Sequence, residues 1–163
     1  MGTAMKTFER YARRVLLTGC IAGSLDIGAA FLQYFLVRGK NPIIVLNFIA
    51  SGVFGNDAFG ENIMMPLAGL FFHYFIATVW TFLYFTAVNR LPVPPKWWGL
   101  NGFVYGIVVW CGMNLIVVPL SNTPPLPFRI EKALIAAAVL IACIGLPIAY
   151  SAMKYFSFEG SEK

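Results

Sequence analysis

The chain has 163 residues, of which 59% are hydrophobic and only 12% are charged. A soluble domain carries roughly 25% charged residues, so this composition excludes an ordinary water-soluble globule. The net charge is +5, but the basic residues do not cluster on one soluble element, which argues against a nucleic-acid-binding protein.

Four long apolar runs dominate the sequence, over residues 15–37, 64–88, 98–120 and 130–153. Each has about 20 residues or more, enough for an α-helix to cross a hydrocarbon core of about 30 Å. A β-barrel would need runs of about 10 residues with alternating polarity, and these runs are continuously apolar. The sequence therefore predicts an all-α integral membrane protein with four transmembrane helices, in which residues 1–163 form a single domain.

The first span, with the run GCIAGSLDIGAAFLQYF, carries an acidic residue, Asp26, at its centre. A charged aspartate at the bilayer centre costs about 2.5–3.5 kcal/mol on insertion scales. We therefore expect Asp26 to face the bundle interior, to pair with a polar group or to be protonated.

The segment after the first span predicts a short additional helix. Asn41 is a candidate N-cap and Pro42 suits the first helical position. The apolar stretch 43–54 that follows has about 12 residues, too few to span a bilayer. Two alternatives remain for residues 42–60: an amphipathic helix at the interface or packed over the bundle, and a re-entrant helix that dips into it.

Two further polar residues lie within the later spans. His73, the only histidine, lies about three residues from the centre of the second span, and Asn114 lies about five residues beyond the centre of the third. At 1.5 Å per residue both fall about 4–8 Å from the midplane on the same side, and Asp26 lies at a similar depth to His73. We therefore treat Asp26, His73 and Asn114 as a candidate buried polar site for an ion or a proton.

Small residues recur at the spacing of helix contacts. Gly19 and Gly23 form a G-x-x-x-G pattern in the first span, and Gly102 and Gly106 form another in the third. This spacing lets two helix backbones approach closely in a membrane. It predicts helix packing, either inside the bundle or at an oligomer interface. In the fourth span, Pro147 predicts a kink.

The basic residues outside the spans predict the orientation. Eight Lys and Arg residues lie on the side of the two termini and four lie on the other side. Positive-inside reasoning therefore places both termini in the cytoplasm.

The pattern AGSLDIGAAFLQYF, NPIIVLNFIASGVFG, LFFHYFIATVW and VYGIVVWCGMNLIVVPLS resembles small bacterial inner-membrane proteins of the YagU-like family. The resemblance implies a bacterial inner (plasma) membrane protein of unsettled activity and supplies no mechanism. The last span of that family tends to carry a histidine before a GLP-like ending. Here it reads LIACIGLPIAY, so no histidine site is carried over.

Three hypotheses explain the acid in the first span. Asp26 could join helices by hydrogen-bonding His73, Asn114, Tyr105 or Ser24; it could handle protons or cations with His73; or it could meet a polar group of another subunit.

These hypotheses give two candidate functions: a small proton- or ion-linked transporter, and a non-catalytic accessory or structural subunit of a larger membrane complex. The expected partners are the lipid bilayer and, for the second function, copies of the chain or other membrane subunits. The sequence has no H-E-x-x-H spacing and no recognisable activated nucleophile. We therefore expect no enzyme activity, cofactor or metal.

Overall fold

The computed structural model describes residues 2–60, 62–91, 94–125 and 129–161, and every regular element within these ranges is a helix. The α-helices are α1 (Gly2–Arg38), α2 (Ile44–Phe54), α3 (Met64–Arg90), α4 (Trp98–Gly112), α5 (Val118–Leu120), α6 (Ile130–Leu140) and α7 (Leu146–Ser161). Short 3-10 helices cover Gly55–Phe59 and Pro95–Trp97, and π-helical turns cover Met113–Val117 and Ile141–Gly145. The predicted all-α fold is confirmed.

Within the described residues, four helical stretches are long and apolar enough to cross a membrane: Phe8–Arg38, Met64–Arg90, Pro95–Leu120 and Ile130–Ser157. We call them spans 1 to 4. Span 3 runs from α4 through a π turn into α5, and span 4 runs from α6 through a π turn into α7. The shortest of the four has 26 residues, which at about 1.5 Å per residue exceeds a hydrocarbon core of about 30 Å.

Neighbouring spans run in opposite directions and pack side by side. α1 packs against α3 and α7, and α4 packs against α6 and α7. The rings of Tyr11 and Tyr155 lie 6.1 Å apart, so span 1 begins and span 4 ends at the same end of the bundle. We call this the termini end; the opposite end, which carries α2, is the far end. The buried apolar core consists of Val15, Ala22, Tyr84, Phe85, Val109, Ile144, Ile148, Ala149 and Ala152.

The two glycines of span 1 lie where α1 meets α3. A Cβ atom on Gly19 would lie 2.9 Å from Oγ1 of Thr78, and one on Gly23 would lie 3.1 Å from Cδ1 of Tyr74. No larger side chain fits at either position without moving α3 away. The close approach of these helices therefore depends on the missing side chains.

The two glycines of span 3 lie against the backbone of span 4. A Cβ atom on Gly102 would lie 2.9 Å from Cα of Leu146, and one on Gly106 would lie 2.5 Å from Cα of Ile141. Both G-x-x-x-G patterns therefore face helix contacts within this chain.

Spans 3 and 4 share an irregularity near a proline. The π turn Met113–Val117 ends two residues before Pro119, and the π turn Ile141–Gly145 ends two residues before Pro147. A proline has no backbone N–H to donate, and its ring crowds the preceding turn, so a wider turn relieves the contact. At Pro147, where the sequence predicts a kink, the helix departs from α geometry through this π turn.

α2 crosses α3 near the far end. Leu46, Asn47, Ala50 and Ser51 form its buried face. A Cβ atom on Gly69 of α3 would overlap the carbonyl group of Leu46, so the two backbones touch there. At the other end of α2, the backbone N–H of Asn122 donates to the carbonyl oxygen of Gly52 at 2.9 Å. α2 is therefore held between the start of span 2 and the end of span 3.

The start of α2 differs slightly from the prediction. Pro42 and Ile43 form a turn, and the helix begins at Ile44. The side chain of Asn41 caps this turn, because its Oδ1 accepts the backbone N–H of Ile43 at 3.0 Å. Asn41 and Pro42, which predicted the helix start, therefore form the turn that precedes the regular helix.

Candidate functional site

A cavity of about 90 Å³ lies inside the bundle, between all four spans and α2. It is lined by Asp26, Ile49, His73, Ile76, Ala77, Trp80, Val109, Met113, Leu140 and Ile144. Only Asp26 and His73 among these residues have ionisable side chains. Two of the candidate residues from the sequence therefore line one cavity. Its other walls are apolar, apart from the indole nitrogen of Trp80 and the thioether of Met113.

Asp26 lies on the face of α1 that packs into the bundle. Thr18 and Ala22 precede it by two turns and one turn, and both are buried, so the helical repeat directs Asp26 to the same side. The side chain is half-buried. Within the described part of the chain, no hydrogen bond reaches its carboxyl group. A carboxylate without a hydrogen-bond donor is costly in such a place.

His73 bonds to the backbone of α1 and not to Asp26. Its Nε2 lies 2.8 Å from the carbonyl oxygen of Gly23. A carbonyl oxygen only accepts, so Nε2 carries the proton in this bond. Nδ1 is then free to gain or lose a proton while the bond to Gly23 stays in place. Because Gly23 has no side chain, α3 lies close to α1 there. This close approach brings His73 beside α1.

The other partners considered for Asp26 are engaged elsewhere. The hydroxyl group of Tyr105 donates to the carbonyl oxygen of Trp80, and the hydroxyl oxygens of Ser24 and Tyr74 lie 2.9 Å apart. The first of the three hypotheses, a hydrogen bond to Asp26 from His73, Asn114, Tyr105 or Ser24, is therefore contradicted by this structure.

Asn114 does not join the cavity. Its side chain is exposed on the outside of span 3, and its Nδ2 donates to the carbonyl oxygen of Trp110 at 2.9 Å. It lies in the π turn that begins at Met113, and the preceding residue, Met113, faces the cavity instead. The expectation that Asn114 is buried with Asp26 and His73 is wrong, because the rotation of span 3 directs it outward.

Trp80 and Met113 form a wall of the cavity that the sequence did not assign. The indole Nε1–H of Trp80 points at the sulfur of Met113, 3.4 Å away. One feature of the sequence could have indicated that Trp80 lines a cavity. It lies near the middle of its span, away from the interfacial belts where tryptophan is common. Met113 has no such signal, because it is one apolar residue within an apolar span.

The described residues contain no cluster of three or more His, Cys, Asp or Glu side chains that could hold a metal ion. The three cysteines are free thiols.

Comparison with protein-family models, curated proteins and solved structures finds no match to this chain. The resemblance to the YagU-like family therefore stays a prediction.

Proposed function

We propose that the protein is a small membrane transporter in which Asp26 and His73 carry the transported proton. The observation that supports this function is the cavity itself. It brings together a carboxyl group that receives no hydrogen bond and the imidazole ring of the only histidine, inside a four-span bundle. Ionisable side chains inside a membrane bundle are candidates for proton relays.

A proton suits this cavity better than a metal cation does. Hard cations take six or more oxygen ligands or retain several waters, whereas the cavity offers one carboxyl group between apolar walls. A proton needs one basic site. When Asp26 is protonated, the carboxyl group is neutral and its cost in the bundle falls.

His73 is suited to exchange protons without turning its ring. The bond from Nε2 to Gly23 is available to both the neutral and the charged imidazole, because both forms keep the proton on Nε2. Protonation therefore alternates at Nδ1 alone. The volume of about 90 Å³ has room for water that can connect this nitrogen with the carboxyl group, since a water needs only about 10–15 Å³ of such space.

The proposal assigns the two barriers to residues on either side of the cavity. Ile49, which belongs to α2, lines the cavity and is the proposed barrier on the far side. On the termini side stand Trp80 and Tyr105, which are joined by a hydrogen bond. Transport requires that these two barriers open in turn. The proposed membrane is a bacterial inner membrane with both termini in the cytoplasm, so Ile49 forms the outer barrier.

Replacing Asp26 by asparagine tests the proposal. Purified protein is reconstituted into vesicles, and an imposed membrane potential drives proton entry, which an enclosed pH-sensitive dye reports. We expect Asp26→Asn to reduce the flux to that of protein-free vesicles, because the amide keeps the size of the side chain but binds no proton. His73→Gln should slow the flux, since it removes the second basic site.

The matched control is Asp57→Asn, the same chemical change at an exposed acid outside the cavity. It should leave the flux unchanged. Thermal unfolding and gel filtration in detergent show whether each variant is folded. Wild-type flux through a folded Asp26→Asn variant would contradict the proposal.

A second candidate function, an accessory subunit of a membrane complex, is favoured by a surface feature. An open apolar groove of about 450 Å³ runs between α1 and α3, lined by Leu16, Leu67, Leu70, Phe71, Tyr74, Phe75 and Thr78. A neighbouring transmembrane helix could fill this groove by van der Waals packing. Under this hypothesis the chain co-purifies with other membrane subunits in mild detergent. A lone monomer with full proton flux would count against it.

A further inference from the structure

The close backbone contacts of the bundle divide it into two halves. The first half comprises spans 1 and 2 with α2, and the second half comprises spans 3 and 4. In the first half, the glycine contacts at Gly19 and Gly69 bring α1 and α2 against α3. In the second half, those at Gly102 and Gly106 bring span 3 against span 4. Each half is therefore a compact unit whose helix backbones approach closely.

The cavity that contains Asp26 lies between these halves. The first half contributes Asp26, Ile49, His73, Ile76, Ala77 and Trp80 to its lining. The second half contributes Val109, Met113, Leu140 and Ile144. A movement of one half away from the other would therefore open the cavity without unfolding either half.

On the termini side of the cavity the two halves share the apolar core. All of the core residues lie level with the cavity or nearer to the termini end. Span 1 and span 2 contribute Val15, Ala22, Tyr84 and Phe85, and the second half contributes Val109, Ile144, Ile148, Ala149 and Ala152. Oγ1 of Thr18 and Oγ of Ser151, one from each half, lie 2.6 Å apart on this side. The burial of this apolar surface holds the halves together at the termini end.

On the far side of the cavity the second half is packed loosely. Residues 113–120 of span 3 and 130–140 of span 4 are all exposed or half-buried. Ile148 and Ala152, on the termini side of span 4, are by contrast fully buried. Segments with few buried contacts open at a low cost in free energy. The halves can therefore part at the far end while the core at the termini end stays packed.

Asn122 joins the two halves at the far end. Its backbone N–H donates to the carbonyl oxygen of Gly52 at 2.9 Å, and its Nδ2 donates to that of Val53 at 2.9 Å. Among the described residues, every hydrogen bond that joins the halves on the far side comes from Asn122. Its side chain is exposed, so water can replace both bonds when the halves part.

We propose that Asn122 is the latch of a gate on the far side. When its bonds to Gly52 and Val53 break, the far ends of spans 3 and 4 move away from α2, and the cavity opens beside Ile49. The halves hinge at the packed core of the termini side. This movement rests on the proposed function, because it supplies the route by which a proton reaches Asp26 from the far side.

The rate of cysteine labelling in the cavity measures the gate without any transport. Cys20, Cys111 and Cys143 are replaced by alanine, and Ile49→Cys places one thiol in the cavity wall. A charged, water-soluble methanethiosulfonate reagent reacts with this thiol in detergent only when the cavity is open. Asn122→Ala should increase the labelling rate about fivefold, the change in open population that the loss of one typical hydrogen bond produces.

The matched control is Asn114→Ala. Nδ2 of Asn114 also donates to a backbone carbonyl oxygen at 2.9 Å, but its acceptor, Trp110, belongs to the same span. Asn114→Ala should therefore leave the labelling rate of Ile49→Cys unchanged. An equal rate in the Asn122→Ala and Asn114→Ala variants would overturn the proposal.

A disulfide across the latch tests the gate in the opposite direction. A Cβ atom on Gly52 would lie 3.7 Å from Cβ of Ser121, and disulfides have Cβ atoms about 3.5–4.5 Å apart. The double variant Gly52→Cys, Ser121→Cys, without the three native cysteines, is oxidised and reconstituted into vesicles. We expect the disulfide to reduce proton flux at least tenfold and reduction with dithiothreitol to restore it. Unchanged flux with the disulfide formed would overturn the proposal.

The two measurements separate this proposal from the proposed function. If the wild type carries no proton flux, the proposed function is contradicted, and the labelling rates alone decide about the latch. If the wild type carries flux that neither the disulfide nor Asn122→Ala changes, and labelling is also unchanged, the latch is wrong and the proton site at Asp26 stands. The reduced double variant is the control for the disulfide, because it has the same sequence and an unlocked far end.

Discussion

At the scale of single residues, the polar groups buried in the bundle differ in whether they have a partner. Tyr84 and Tyr105 show the contrast most directly, since their ring centroids lie only 4.5 Å apart. The hydroxyl group of Tyr105 donates to the carbonyl oxygen of Trp80. That of Tyr84 is buried and has no partner in the described structure. One tyrosine thus stabilises the bundle through its hydroxyl group, and the other buries a hydroxyl group at a cost.

This contrast predicts opposite effects of the same substitution. Tyr84→Phe should raise the unfolding temperature in detergent, because it removes an unpaired group that costs about 1–3 kcal/mol. Tyr105→Phe should lower it, because a hydrogen bond worth about 1 kcal/mol is lost. The two variants control for each other, since each deletes one oxygen atom from one of two neighbouring tyrosine rings. If Tyr84→Phe lowers the unfolding temperature as much as Tyr105→Phe does, an internal water bonds to Tyr84.

At the scale of elements, the contact of spans 3 and 4 depends on glycines on both helices. A Cβ atom on Gly145 would overlap the carbonyl group of Gly102 and lie 2.9 Å from Cα of Gly106. Gly145 ends the π turn of span 4, so the irregular turn lies where the backbones are closest. The same turn supplies Ile144 to the wall of the Asp26 cavity. The helix contact and the cavity wall are therefore formed by one segment.

Alanine at Gly106 should destabilise the bundle. Its Cβ would lie 2.5 Å from Cα of Ile141, and overpacking of this kind costs about 1–3 kcal/mol. Gly99→Ala, in the first turn of the same helix, is the control. No atom lies within 4 Å of a Cβ placed there, and alanine favours the helix by up to about 1 kcal/mol over glycine. Thermal unfolding in detergent should move in opposite directions for the two variants. A stabilised Gly106→Ala variant would contradict the packing described here.

The elements were easier to predict from the sequence than the site was. Continuous apolar runs determine the four spans, and depth along each span places Asp26 and His73 at one level. The rotation of each helix could not be predicted in the same way, because spans that are apolar on every side carry no polar face to mark the outside. For that reason Asn114 was expected inside and lies outside, whereas Met113 lines the cavity without any signal. The π turns were not predicted, since Pro147 indicated only a kink in span 4.

At the scale of the whole molecule, the distribution of charge is tied to the topology. The contact between Tyr11 and Tyr155 places both termini at one end of the bundle. Seven of the eleven Lys and Arg residues in the described part of the chain belong to the segments at that end. α2 lies at the other end, so the orientation decides which compartment α2 faces.

Positive-inside reasoning predicts that the basic, termini end lies in the cytoplasm, and cysteine labelling checks this prediction. Cys20, Cys111 and Cys143 are first replaced by alanine, and one new cysteine is introduced at an exposed position at either end: Asn56→Cys at the far end or Ser157→Cys at the termini end. In intact cells a membrane-impermeant maleimide should label Asn56→Cys, and it should label Ser157→Cys only after the membrane is permeabilised. Reversed labelling would place the termini outside, and the proposed proton pathway would then run in the opposite direction through the same residues.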